Sequence, residues 1–109
     1  MELIQDERTR NNAYIITHKL ALPDIYDQLA EEAAELAQAA NKMARVLRGT
    51  NPTPKTEKEA RRDLVEEYTD VVTVCQNVLN IEADAMLADY KLYRWRKRLE
   101  DSRSEQAVS

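Results

Sequence analysis

The feature that most constrains this chain is an apolar series, Ile25, Leu29, Ala33, Leu36, Ala40, Met43 and Leu47, which steps by three or four residues. It persists for about six helical turns. That period buries one side of an α-helix and no face of a strand, whose side chains alternate with period two. Asp24 follows Pro23 and can cap such a helix, and Gly49 suits the left-handed residue that closes one. The turn Asn51-Pro52-Thr53-Pro54 cannot continue it. A helix over residues 24 to 48 is predicted.

Thr56 with Glu59 three positions on forms a capping box, which predicts a second long helix over residues 57 to 80. Its stripe is Ala60, Leu64, Val71, Val74 and Val78, widened by Tyr68, Val72, Cys75 and Leu79, so this helix is expected to be largely buried. A weaker pattern from Asp6 to His18, with Ala13, Ile16 and Leu20 near one face, predicts a short first helix broken over Leu20 to Pro23. A last helix is expected over about 82 to 101, with Ala85, Ala88, Leu92, Trp95 and Leu99 on one face. Nothing in residues 102 to 109 would order a tail, which is expected to be disordered.

One Gly and three Pro among 109 residues leave few positions for tight strand turns. The expected fold is all-α, a single helical-bundle domain over residues 1 to 101 with three long or medium helices and a short N-terminal one. A chain this small sits near the lower end of what one core stabilises, so self-association into a homodimer or homotetramer is expected to complete the bundle.

With 20 acidic and 16 basic residues the formal charge is -4, and no global basic surplus exists of the kind that holds duplex nucleic acid by neutralising phosphates. Cys75 is the only cysteine, so no intrachain disulfide can form, which suits a reducing cytoplasm. No apolar run approaches the ~20 residues of a membrane span, and residues 1 to 12 carry no signal-peptide core. A cytoplasmic protein without a membrane partner is expected.

Acidic residues stand where the apolar stripes call for hydrocarbon. Glu32 falls between Leu29 and Leu36, with Glu35 one turn on; Glu67 falls between Leu64 and Val71, with Asp70 one turn on. Each helix thus carries an i, i+3 acidic pair in its own buried stripe. Carboxylates gathered away from water repel one another and lose solvation unless a cation compensates. A hard divalent cation, Mg²⁺ with Mn²⁺ as a substitute, takes oxygen ligands and keeps waters for substrate phosphates. Zn²⁺ is disfavoured, because His18 and Cys75 have no partner at ligand spacing. An isolated pair of this kind is usually a solvated helix face; its recurrence on two consecutive helices is what singles these four out.

At these residues, Glu31-Glu32-Ala33-Ala34-Glu35 and Glu67-Tyr68-Thr69-Asp70, the chain resembles the MazG-like family of all-α nucleoside triphosphate pyrophosphohydrolases, whose signature is E-E-x-x-E on one helix and E-x-x-D on the next. The resemblance spans roughly Gln28 to Leu99 and is to the short phage and bacterial members, which places the protein in the host cytoplasm if it is phage-encoded. It implies that Glu32, Glu35, Glu67 and Asp70 hold Mg²⁺, with Glu31 a further acid at the rim. It also implies basic residues on the last helix near the triphosphate, which here fall among Lys91, Arg94 and Arg98, and Lys42 is a similar case.

The implied reaction is hydrolysis of a (deoxy)nucleoside triphosphate to the monophosphate and pyrophosphate, with Glu35 or Glu31 as proton acceptor. No Gly-rich loop is present to cradle phosphates. Two alternatives stand beside it: a non-catalytic helical interaction protein, which would place the acids outside the buried stripes, and a nucleotide-binding sensor of the same fold. The preferred base is open, with Asn11, Asn12, Tyr14, Gln28 and Asn41 as polar candidates.

Overall fold

A computed structural model of the chain describes residues 2–50 and 54–108, and in it every regular element is helical. Helix α1 spans Glu7–Lys19, α2 spans Leu22–Arg48, α3 spans Glu57–Val72 with a π-helical continuation over Thr73–Val78, and α4 spans Ala85–Val108. The chain is all-α, as its residue pattern predicts. None of the described helices is long and apolar enough to cross a membrane.

The helix ends follow local chemistry. Asp6 caps α1 by accepting the Thr9 N–H at 2.8 Å, a bond that holds its carboxyl below the ordinary carboxylate pKa. Helix α2 begins two residues earlier than expected: Ala21 is its N-cap, Pro23 lies in the first turn, and Asp24 sits inside that turn rather than capping it. At the other end Gly49 adopts φ 70°, and its N–H and that of Thr50 reach back to the last carbonyls. Thr56 and Glu59 make the reciprocal capping box at the start of α3. The Asn51-Pro52-Thr53 part of the intervening turn lies outside the described residues.

The π-helical segment ends at Val78, and the left-handed φ of 56° at Asn80 lets the Ile81 N–H bond the Cys75 carbonyl at 2.7 Å. Asp84 then accepts the Leu87 N–H at the start of α4. That helix runs on through Val108, past residue 101 and through the segment expected to be a disordered tail.

Packing is dominated by α2 against α3, with α1 lying on the π-helical continuation. Two corrections to the expected stripes follow. On α2 the side turned from solvent is Ile25, Leu29, Glu32, Leu36, Ala39, Met43 and Val46, while Ala33, Ala40 and Leu47 face out. The inward set alternates steps of four and three, the 3.5-residue period of two helices packed along their length, whereas the expected series drifts at the slower 3.6-residue period of a lone helix. On α3, Tyr68 is exposed, and Ala60 is the single fully buried position rather than one of many.

Helix α4 departs most from expectation. Its predicted inner face, Leu92, Trp95 and Leu99 included, is exposed, and among the described residues it makes at most marginal contact with the other helices. The chain is accordingly extended: its radius of gyration is 18.5 Å, against about 13 Å for a compact domain of this length. Its accessible surface is 9257 Å², against roughly 6,200 Å² for a folded monomer of this mass.

Candidate metal centre

Because α2 and α3 meet through stripes of the same period, the acids embedded in those stripes face each other. Glu32, Glu35, Glu67 and Asp70 each offer a carboxylate oxygen, and the four oxygens lie within 4.8 Å of one another. Glu32, Glu67 and Asp70 are half-buried and Glu35 is open to solvent. The interhelical pairing therefore assembles all four predicted acids.

The surroundings do not satisfy these carboxylates. One oxygen of Glu32 accepts the Gln28 side-chain N–H at 2.7 Å, but Glu32 Oε2 and Glu67 Oε2 are shut off from solvent with no hydrogen-bond partner. A buried acceptor in this state carries its full desolvation cost. Loss of solvation raises the Glu67 pKa, helped by the neighbouring carboxyl groups of Glu35, Asp70 and Glu66. Inaccessible, unpaired oxygens converging from two helices are what a hard cation with oxygen ligands fits.

No protein-family model, curated protein or solved structure matches the chain.

The other predicted residues divide. Glu31 is exposed and outside the four-oxygen cluster, although it is adjacent to Glu32 in sequence. Lys42 lines a cleft of about 670 Å³ that opens beside Glu35 and Glu67. Lys91 and Arg94 are carried away from the cluster on α4, where Arg94 lies over the Tyr90 ring at 5.9 Å. Within one chain they are not brought to the acids.

Of the polar candidates, Gln28 is the donor to Glu32, Asn41 lines the same cleft as Lys42, and Asn11 and Tyr14 line a shallow depression made by α1 and Asp6. His18 stacks on Tyr14 with ring centroids 3.8 Å apart and Nδ1 2.8 Å from the Tyr14 carbonyl, a local arrangement unrelated to the acids.

Two further cations line the cleft beyond those the sequence pattern predicts. Arg45 lies one turn beyond Lys42, and Lys55 pairs with Asp63. For Arg45 the signal is spacing, since Glu35, Lys42 and Arg45 share one side of α2; Lys55 precedes α3 and carries no such signal.

Proposed function

We propose that this chain is a Mg²⁺-dependent nucleoside triphosphate pyrophosphohydrolase of the MazG-like type. The observation that carries this reading is the meeting of Glu32, Glu35, Glu67 and Asp70 within 4.8 Å, with orphaned buried oxygens on Glu32 and Glu67. These four residues would hold the ion. When bound, Mg²⁺ supplies charge neutralisation on phosphate oxygens and a water of lowered pKa.

The chain's own residues supply the rest. Gln28 fixes the Glu32 carboxylate from the same face of α2, a supporting contact of the kind that orients metal ligands. Glu35, the solvent-open member of the four, accepts a proton from the attacking water; Glu31, outside the cluster, does not take that role. Water adds to the α-phosphorus, the bond from that phosphorus to the α,β-bridging oxygen breaks, and pyrophosphate leaves, so that triphosphate and water give monophosphate and pyrophosphate.

The working form is a homo-oligomer. Each chain exposes roughly 3,000 Å² more than a compact monomer of its mass would, which is of the order that obligate interfaces bury. Much of the apolar part lies on α4, where Met86, Leu87, Tyr90, Leu92, Trp95 and Leu99 are all exposed. A partner chain that covers α4 is also the route by which Lys91 and Arg94 can approach an acid cluster.

The test is a panel of common and modified (deoxy)nucleoside triphosphates incubated with Mg²⁺, with pyrophosphate detected directly. Pyrophosphate release from at least one member, abolished by chelation, is expected. Release of orthophosphate alone across the panel contradicts the assigned reaction.

A further inference from the structure

The cleft that adjoins the acid cluster is bipolar. Glu35 and Glu67 stand at one end, and Lys42, Arg45 and Lys55 line the remainder, with Asp63 as their one acidic neighbour along it. Lys42 lies two turns beyond Glu35 on α2, a rise of about 10 Å, which flexible lysine and arginine side chains readily span. Lys55 approaches from the other side, just ahead of the capping residue Thr56, and its ammonium pairs with Asp63.

Asp63 offsets only part of this charge. Among the described residues neither Lys42 nor Arg45 has a carboxylate within ion-pair distance, and Lys42 and Lys55 are both half-buried against the helix pair. Two unpaired cations and a third with one partner, converging on a hollow next to a proposed cation site, call for an anion longer than a single phosphate. Lysine binds phosphate as a point charge and arginine through its fork.

We propose that Lys42, Arg45 and Lys55 form a polyphosphate subsite within a single chain, extending from the acid cluster along the α2–α3 cleft. Lys55 is its positioning cation, held ready by Asp63 and transferred to phosphate when the anion enters. The subsite builds on the pyrophosphohydrolase reading by naming cations that hold the phosphate chain without help from α4. It recognises the triphosphate rather than the base.

The test is titration calorimetry of inorganic tripolyphosphate into the full-length chain, with Mg²⁺ and, separately, with EDTA. Parent protein is expected to bind in both arms, more tightly with Mg²⁺, and with an affinity that falls as salt rises. Lys55→Ala combined with Arg45→Ala should weaken binding at least about tenfold in both arms, the loss expected from removing charged contacts to an anion. Arg61→Ala, an exposed position of α3 outside the cleft, should leave it unchanged.

Asp63→Asn separates a ligand role from a structural one. If Lys55 serves the anion, removing its competing carboxylate leaves tripolyphosphate binding equal or tighter, opposite in sign to Lys55→Ala. Equal losses in the two single variants, or full parental affinity in the Lys55→Ala, Arg45→Ala protein, overturn the subsite, as does a parent that binds in neither arm. Failure of the metal reading is distinguishable: Mg²⁺ would then add nothing, while binding in EDTA would still depend on the three cations.

Discussion

Glu35 on α2 and Glu67 on α3 present carboxylate oxygens within 4.8 Å of each other across the seam between the two helices, one in solvent and the other half-buried. Two like charges this close are tolerated by holding a proton or by holding a cation. Loss of solvation first, and then Glu35, raises the Glu67 pKa above its ordinary 4.5, which favours holding a proton when no cation is bound.

Folded Glu67 keeps its proton above pH 4.5, where the unfolded chain has lost it, so its contribution is favourable below that pH and is lost as pH rises through the elevated value. In EDTA the melting temperature is expected to fall as pH rises above 4.5 and through the elevated value. Glu67→Gln should flatten that slope. A parental slope retained in the variant would place its origin elsewhere.

Mg²⁺ should reverse the cost. Because it binds the folded cluster and not the dispersed acids of the unfolded chain, it is expected to raise the parental melting temperature in a concentration-dependent way. Glu32→Gln or Asp70→Asn should shrink that rise and lower pyrophosphate release by about 100-fold or more. Glu57→Gln, on α3 in its exposed first turn, serves as the control; equal losses in the control and the site variants would remove the case for a localised centre.

The Gln28 contact to Glu32 tests the supporting layer. Gln28→Ala removes the one donor to that carboxylate among the described residues and should weaken Mg²⁺ affinity about 10-fold, while the metal-free melting curve barely moves, because Gln28 is exposed. Competition against a fluorescent Mg²⁺ indicator reads the affinity directly.

Assembly is reported by a single fluorophore. Trp95 is the only tryptophan and is 59% exposed in the isolated chain. Its emission is expected to be blue-shifted at micromolar concentration and to move to the red on dilution, in step with a fall in mass by sedimentation. Trp95→Glu should dissociate the assembly. A parent that sediments as a 12.6 kDa monomer with red-shifted emission would exclude an interface through α4.

The ends of the α2–α3 pair are local stability elements. Thr56→Ala is expected to cost about 1 kcal/mol by removing the capping hydroxyl. Gly49→Ala should cost ~1 kcal/mol from left-handed backbone strain alone, since its new methyl would meet no neighbour within 4 Å. Urea unfolding of the two single variants measures both.

The chain's own order of residues determined the helices and most of their ends. The capping pair Thr56 and Glu59, the glycine after Arg48 and the three-and-four stepping of apolar side chains act over one or two turns, so they are readable without knowing what lies opposite. The same stepping exposed Glu32 and Glu67 as misplaced acids. Tertiary structure decided which of two neighbouring series on α2 turned inward, because Ala33 and Ala40 are as apolar as Ala39 and only packing against α3 selects the 3.5-residue set that contains Glu32. It also decided that Arg45 and Lys55, distant in sequence from the acids they accompany, line one cleft with Glu35 and Glu67. And among the described residues it left α4 with at most marginal contact to the other helices: an amphipathic stripe specifies that a face must be covered, but whether the same chain or another covers it depends on where the preceding turn at Asn80 sends the helix.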